Sequence, residues 1–152
     1  MDRPVATKTP WHLWVIGIVT LVWHAGGALD YTMTQTRNMD YLNAAAEQAD
    51  VPVELMLGYF DRWPAWADAA WALGVWGAVA GSLMLLMRSR YALHAFIVSL
   101  IGLVGTTIHT LTSDLPEALA TPAMWLFSAI VFVVLIAAAF YSRRMTARGV
   151  LR

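Results

Sequence analysis

Four histidines (His12, His24, His94 and His109) and two acids near span ends (Asp30 and Asp68) are the residues here that could do chemistry inside an apolar chain. An imidazole at membrane depth can ligate a haem or a metal, hold a proton, or hydrogen-bond a polar ligand. A carboxylate at the same boundary either anchors a helix end or meets a cation. The chain holds no cysteine, which excludes disulfides, thiolate metal sites and cysteine nucleophiles. It has no nucleophile elbow, P-loop or HExxH pattern, so the residues lean away from an enzyme.

Hydropathy decides which elements must position these groups. Of 152 residues, 59% are hydrophobic and 13% charged, against about 45–50% and about 25% in soluble domains. The length suits one integral membrane domain over residues 1–152. Eight tryptophans fit a chain with long membrane interfaces, and a net charge of zero gives no electrostatic case for nucleic acid. A bilayer core about 30 Å thick takes roughly 20 apolar residues of helix. Four stretches qualify: 11–30, 66–87, 91–112 and 122–141. The expected fold is all-α, a four-transmembrane-helix bundle with a helical periplasmic cap over residues 31–65 between spans one and two. Arg3 and Lys8 ahead of the first run also suit a signal peptide. The expectation is that the segment stays as a span.

Basic residues give the orientation. Arg3, Lys8, Arg88, Arg90, Arg143, Arg144, Arg148 and Arg152 fall on one side, Arg37 and Arg62 on the other. Such a bias places both termini in the cytoplasm. The loop over 31–65 is too long for idle slack. Its "MDYLNAAAEQAD" is built of helix formers, and Asp50 with Pro52 suits the start of a second short helix. A solvated connector with some helix is the alternative.

In lipid, helices associate through small residues. Span two offers Ala70, Gly74, Ala78 and Gly81, with Gly77–Gly81 a GxxxG pair. Span one offers Gly17, Thr20, His24, Gly27 and Tyr31, and span three Val98, Gly102, Gly105, Thr106 and His109. Span four has no such stripe and should be the most lipid-exposed helix, or the one that meets another subunit. His24 and His109 thus fall on packing faces. Counted from Asp30 and Thr112, their depths differ by roughly 4–5 Å. His24 is expected to face His109 and Ser128, and Asp30 to serve the interface near Arg37, Arg62 or Asp68. A packing histidine bonded to a nearby carbonyl is the plainer alternative.

A bis-histidine haem b is a further alternative. A two-haem arrangement fails because His12 and His24, twelve residues apart, sit about 120° apart around the helix. A single haem b between His24 and His109 survives. Zinc or copper would need three or four ligands. Met33, Met56 and Met124 complete such a set only on paper, so no metal site is assigned. On the outer side Tyr31, Trp63 and Trp66 stand among polar residues such as Arg37, Asp61 and Asp68. That mixture suits a sugar-like ring or lipid headgroups, and is equally what an aromatic belt looks like.

The stretches "TKTPWHLWVIGIVTLVWHAGGALDYTMTQTRN" and "WALGVWGAVAGSLMLLMRSRYALHAFIVSL", with the ending "ARGVLR", resemble a group of small bacterial inner-membrane proteins. Members have four spans and are often labelled hypothetical or sugar transporter. The resemblance implies transport and a bacterial inner membrane, and carries no site residues. The leading expectation is binding or passage of a small solute or lipid at a polar pocket between spans one and three, near the outer face. His24, His109, Asp30, Tyr31, Trp63 and Trp66 would line it. The alternative is a non-catalytic accessory subunit of a larger membrane complex. Membrane lipid and further copies of the chain or other subunits are the expected partners.

Overall fold

Prolines stand at the starts of four helices in this chain, and left-handed residues follow the ends of four. A computed structural model describes residues 9–152. Arg3 and Lys8, used above for orientation, lie outside the described residues. α1 (Trp11–Gln35) begins after an extended Pro10 and runs five residues beyond the expected end at Asp30. It stops where Arg37 turns left-handed (φ 52), and the amides of Arg37 and Asn38 close back onto the carbonyls of Thr34 and Met33. Asn38 then caps α2 (Met39–Gln48) by accepting from the Tyr41 amide. Asp50 (φ 55) closes α2 in the same manner. The sequence reading put Asp50 at the start of the next helix, but it ends the previous one. Pro52 precedes α3 (Val53–Phe60). Asp tolerates the left-handed region, and proline has no amide hydrogen to lose at a helix start. α4 (Ala65–Leu86) follows Pro64 and ends at a left-handed Arg88 (φ 59). α5 (Ala92–Thr112) and α6 (Pro122–Ala147) complete the chain, and the Thr121 hydroxyl accepts from the Met124 amide.

α1, α4, α5 and α6 are each long and apolar enough to cross a membrane, so this is a multi-pass helical membrane protein. α2 and α3 form the helical segment between the first two spans. The spans pack in the order α1, α4, α5, α6.

Glycines determine how closely they pack. A methyl group on Gly102 would fall on the backbone of Ala70 and Gly74, and one on Gly77 would press on the backbone of Ser99. The Ser99 hydroxyl donates to the Gly74 carbonyl across the same contact. The Gly77–Gly81 pair of α4 therefore faces α5, with Phe96 seated over Gly81. Two expected stripe members do not take part. Val98 faces outward and Ser99 holds its place. Gly27 has open space beside it, and Ala28 is the buried residue on that turn of α1.

Burial is uneven along the bundle axis. The buried apolar cluster of Leu13, Leu85, Ala92, Phe96, Leu135, Met145, Val150 and Leu151 gathers at the end bearing the α4–α5 turn. There the chain's last residues pair with the turn: the Arg90 amide donates to the Arg152 carbonyl (3.0 Å), and the Arg152 amide to the Arg88 carbonyl (2.9 Å). α6 has the smallest buried share of the four spans, in line with its expected exposure. No residue of α6 before Leu135 is buried.

Candidate functional site

His24 lies near the middle of α1, thirteen residues from Trp11 and eleven from Gln35. The Ser82 hydroxyl donates to the Ala78 carbonyl (3.0 Å), which leaves its oxygen to accept from the Nδ1 hydrogen of His24 (2.8 Å). The ring packs against Phe96, with centroids 6.0 Å apart. Buried and hydrogen-bonded, His24 joins three spans.

His109 sits elsewhere. It meets Trp63 and Trp66 at centroid distances of 4.8 and 5.5 Å, at the cap end of α5. Phe96 and His109 are thirteen residues apart on α5, about 20 Å of helix. The expected meeting of His24 and His109 does not occur. Span one was ended at Asp30, which set its outer end five residues too early and so placed His24 too near it. The pocket between spans one and three, and a haem bridging these two imidazoles, have no geometric basis. Ser128 does not reach His24 either: its hydroxyl donates to Met124 within its own helix (3.0 Å). His12 Nδ1 lies 2.6 Å from the Tyr141 hydroxyl and ties α1 to α6 at the turn end.

The remaining sequence-selected residues do gather at the cap end. Tyr31 meets Trp71 edge to face at 5.0 Å, and Trp71 stacks on Phe60 at 5.5 Å. Trp63 lies against both Phe60 and Trp71. Its Nε1 is buried without a hydrogen-bond partner. This aromatic block roots α3 onto α4 and α5. On its polar side, Arg37 pairs with Asp61, and Gln35 donates to Asp68 (3.3 Å), around a cavity of about 200 Å³.

Asp30 corrects the expectation that it would face Arg37, Arg62 or Asp68. It accepts from the Tyr41 hydroxyl at 2.8 Å, which ties α2 to α1. Burial, and then the bond to Asp30, push the Tyr41 hydroxyl up to about 12. This pair forms the polar edge of a cavity of about 510 Å³. Its walls come from α1 (Asp30, Thr34), α2 (Tyr41, Leu42, Ala45, Gln48, Ala49), α3 (Met56, Tyr59, Phe60), the α5–α6 connection (Leu115, Ala118, Leu119, Thr121) and α6 (Ala123, Met124). Tyr59 holds α3 to the far wall through its hydroxyl, 3.4 Å from the Ser113 hydroxyl.

The volume lies within the range of ligand pockets, about 300–1,000 Å³. Its lining is mostly aliphatic and aromatic, with Asp30, Tyr41, Thr34, Gln48 and Thr121 as polar points. Such a lining would suit a molecule with an apolar body and one uncharged or cationic polar group. The two cavities share Thr34 and Phe60 as walls. Sequence reasoning missed Tyr41, Phe60 and Trp71. The one available signal was aromatic residues recurring within the cap and at the start of span two.

Comparison with family models, with curated proteins and with solved structures finds no match.

Proposed function

We propose that this membrane protein binds, and in a wider reading passes, a small amphipathic molecule of lipid-like character in the cavity beneath its helical cap. The observation that carries the reading is the contrast between the two ends: close packing at the α4–α5 turn, and a cavity of about 510 Å³ walled by five segments at the other end. Partly exposed apolar side chains such as Met56, Leu115 and Leu119 line it, and an apolar body filling the cavity would add contacts to them. The pair Asp30–Tyr41 offers a carboxylate to a hydroxyl or cationic head. Met124 and Ala123 place one wall on the half of α6 that has no buried residue, next to where acyl chains would lie.

On this reading the protein sits in a bacterial inner membrane, as the resemblance implies, with the cap outside and the α4–α5 turn in the cytoplasm. The support is the set of Arg88, Arg90, Arg143, Arg144, Arg148 and Arg152 at one end.

Photocrosslinking tests the binding reading. A diazirine-bearing monoacylglycerol in vesicles should label residues of α2, α3 and the α5–α6 connection. Ala45→Phe, which fills the cavity, should abolish that labelling while the protein stays folded. Equal labelling of the wild type and Ala45→Phe would end the proposal.

The accessory-subunit reading rests on the exposed apolar face of α6, including Leu126, Val133 and Phe140. Purification in mild detergent with a stoichiometric second protein would favour it.

A further inference from the structure

We propose that Arg88, Arg90 and Arg152 form a binding site for the phosphate group of an anionic phospholipid headgroup. The two backbone hydrogen bonds between the α4–α5 turn and the last residue set Arg152 directly alongside both Arg88 and Arg90. Three guanidinium-bearing residues are thus held by the backbone at one small end of the bundle, where like charges repel unless an anion lies among them. An α-carboxylate at Arg152 would offset one of the three.

A second observation points the same way. The Arg88 Nε is buried and has no hydrogen-bond partner. A buried donor on a charged group is costly to leave unpaired, and a phosphate oxygen is an acceptor it would bond if the side chain shifted to expose it. Among the described residues no carboxylate side chain at this end is a substitute. No Asp or Glu occurs between Asp68 and Asp114, or after Glu117. Among the described residues the ion pair is Arg37 with Asp61, at the opposite end.

The surroundings select a lipid as the source of the phosphate. Met87 and Tyr91 flank the turn at 77% and 52% exposure, an apolar and an aromatic side chain at the depth where headgroups begin. The Arg90 guanidinium lies over the Tyr91 ring, 5.2 Å from its centroid, and donates to its hydroxyl at 3.2 Å. Val150 and Leu151 are buried in the core, so the tail bearing Arg152 is held rather than loose. The nearby first turn of α5 adds the positive end of a helix.

The test uses the full chain in nanodiscs of phosphatidylcholine, with and without phosphatidylglycerol. Melting temperature and lipid retention in native mass spectrometry are the readouts. Wild type should retain phosphatidylglycerol selectively and melt higher in its presence. Arg88→Gln and Arg152→Gln should each weaken that retention by about tenfold, the scale of one charge-assisted hydrogen bond. Arg143→Gln, on the exposed end of α6, should leave it within about twofold. Arg88→Lys keeps the charge and checks that any loss is not a folding defect. Equal retention of both lipids, or unchanged selectivity in both Gln variants, overturns the proposal. A melting shift from inorganic phosphate equal to that from phosphatidylglycerol overturns the lipid assignment and leaves a plain anion site.

Discussion

Tyr41 donates its hydroxyl to the Asp30 carboxylate at 2.8 Å, and this bond joins the cap to the first span at the mouth of the larger cavity. The two residues are eleven apart in sequence, separated by the helix stop at Arg37. The bond exists only because that stop turns α2 back toward α1.

This pair gives the cap a defined alkaline response. Tyr41 is shifted upward, so folding favours its neutral form. Its contribution is complete below the ordinary tyrosine range near 10 and is lost as pH rises toward about 12. The difference in tyrosinate absorbance between wild type and Tyr41→Phe should appear close to pH 12 rather than pH 10. Tyr41→Phe should also speed amide exchange in α2 at neutral pH, with a loss of about 1 kcal/mol or less at this exposed bond.

The glycine seam separates two substitutions of identical chemistry. Gly102→Ala places a methyl on the backbone of Ala70 and Gly74, which cannot step aside. It should lower stability by about 1–3 kcal/mol in a detergent unfolding titration. Gly26→Ala meets nothing within 4 Å. That change should be neutral or stabilising by up to about 1 kcal/mol, through helix propensity alone.

His24 should behave as a packing residue. Ser82→Ala removes the acceptor of its Nδ1 hydrogen and should destabilise by about 1 kcal/mol. Pairing it with His24→Phe should recover part of that loss in a double-mutant cycle. His24→Phe alone should leave lipid labelling under the cap unchanged, because the ring does not line the cavity.

Several features were legible in the residues and others were not. The four spans and the helical cap followed from hydropathy and helix-forming runs. The glycines of the α4–α5 seam stood out at spacings of three and four, but the span they face was not readable from them. Depth was not legible. Ending span one at Asp30 assumed that an acid marks the interface, yet Asp30 stays helical because α2 returns to satisfy it. That assumption brought His24 about 7.5 Å nearer the outer end and suggested a partnership with His109. The cavity was hidden for a related reason. Its walls come from five segments whose relative placement depends on left-handed turns at Arg37 and Asp50, and no glycine announces either one.

Because the chain has no native cysteine, its orientation can be read with single introduced thiols. In intact cells a membrane-impermeant maleimide should label Glu54→Cys in the cap. Arg148→Cys, beyond the end of α6, should be labelled only after the cells are opened. The reverse pattern would invert the proposed topology.

The burial pattern of α6 gives that helix the mechanics of a lever. Every buried residue on it lies from Leu135 onward, so one half is clamped and the other half, which carries Ala123 and Met124, is held more loosely, with Phe127 against Trp23. With Ala138 as fulcrum, a tilt of about 5° would swing Met124, fourteen residues away, by about 2 Å. A displacement of that size is about half of one carbon–carbon contact distance of about 4 Å, so it would loosen or tighten the α6 wall of the cavity rather than open it.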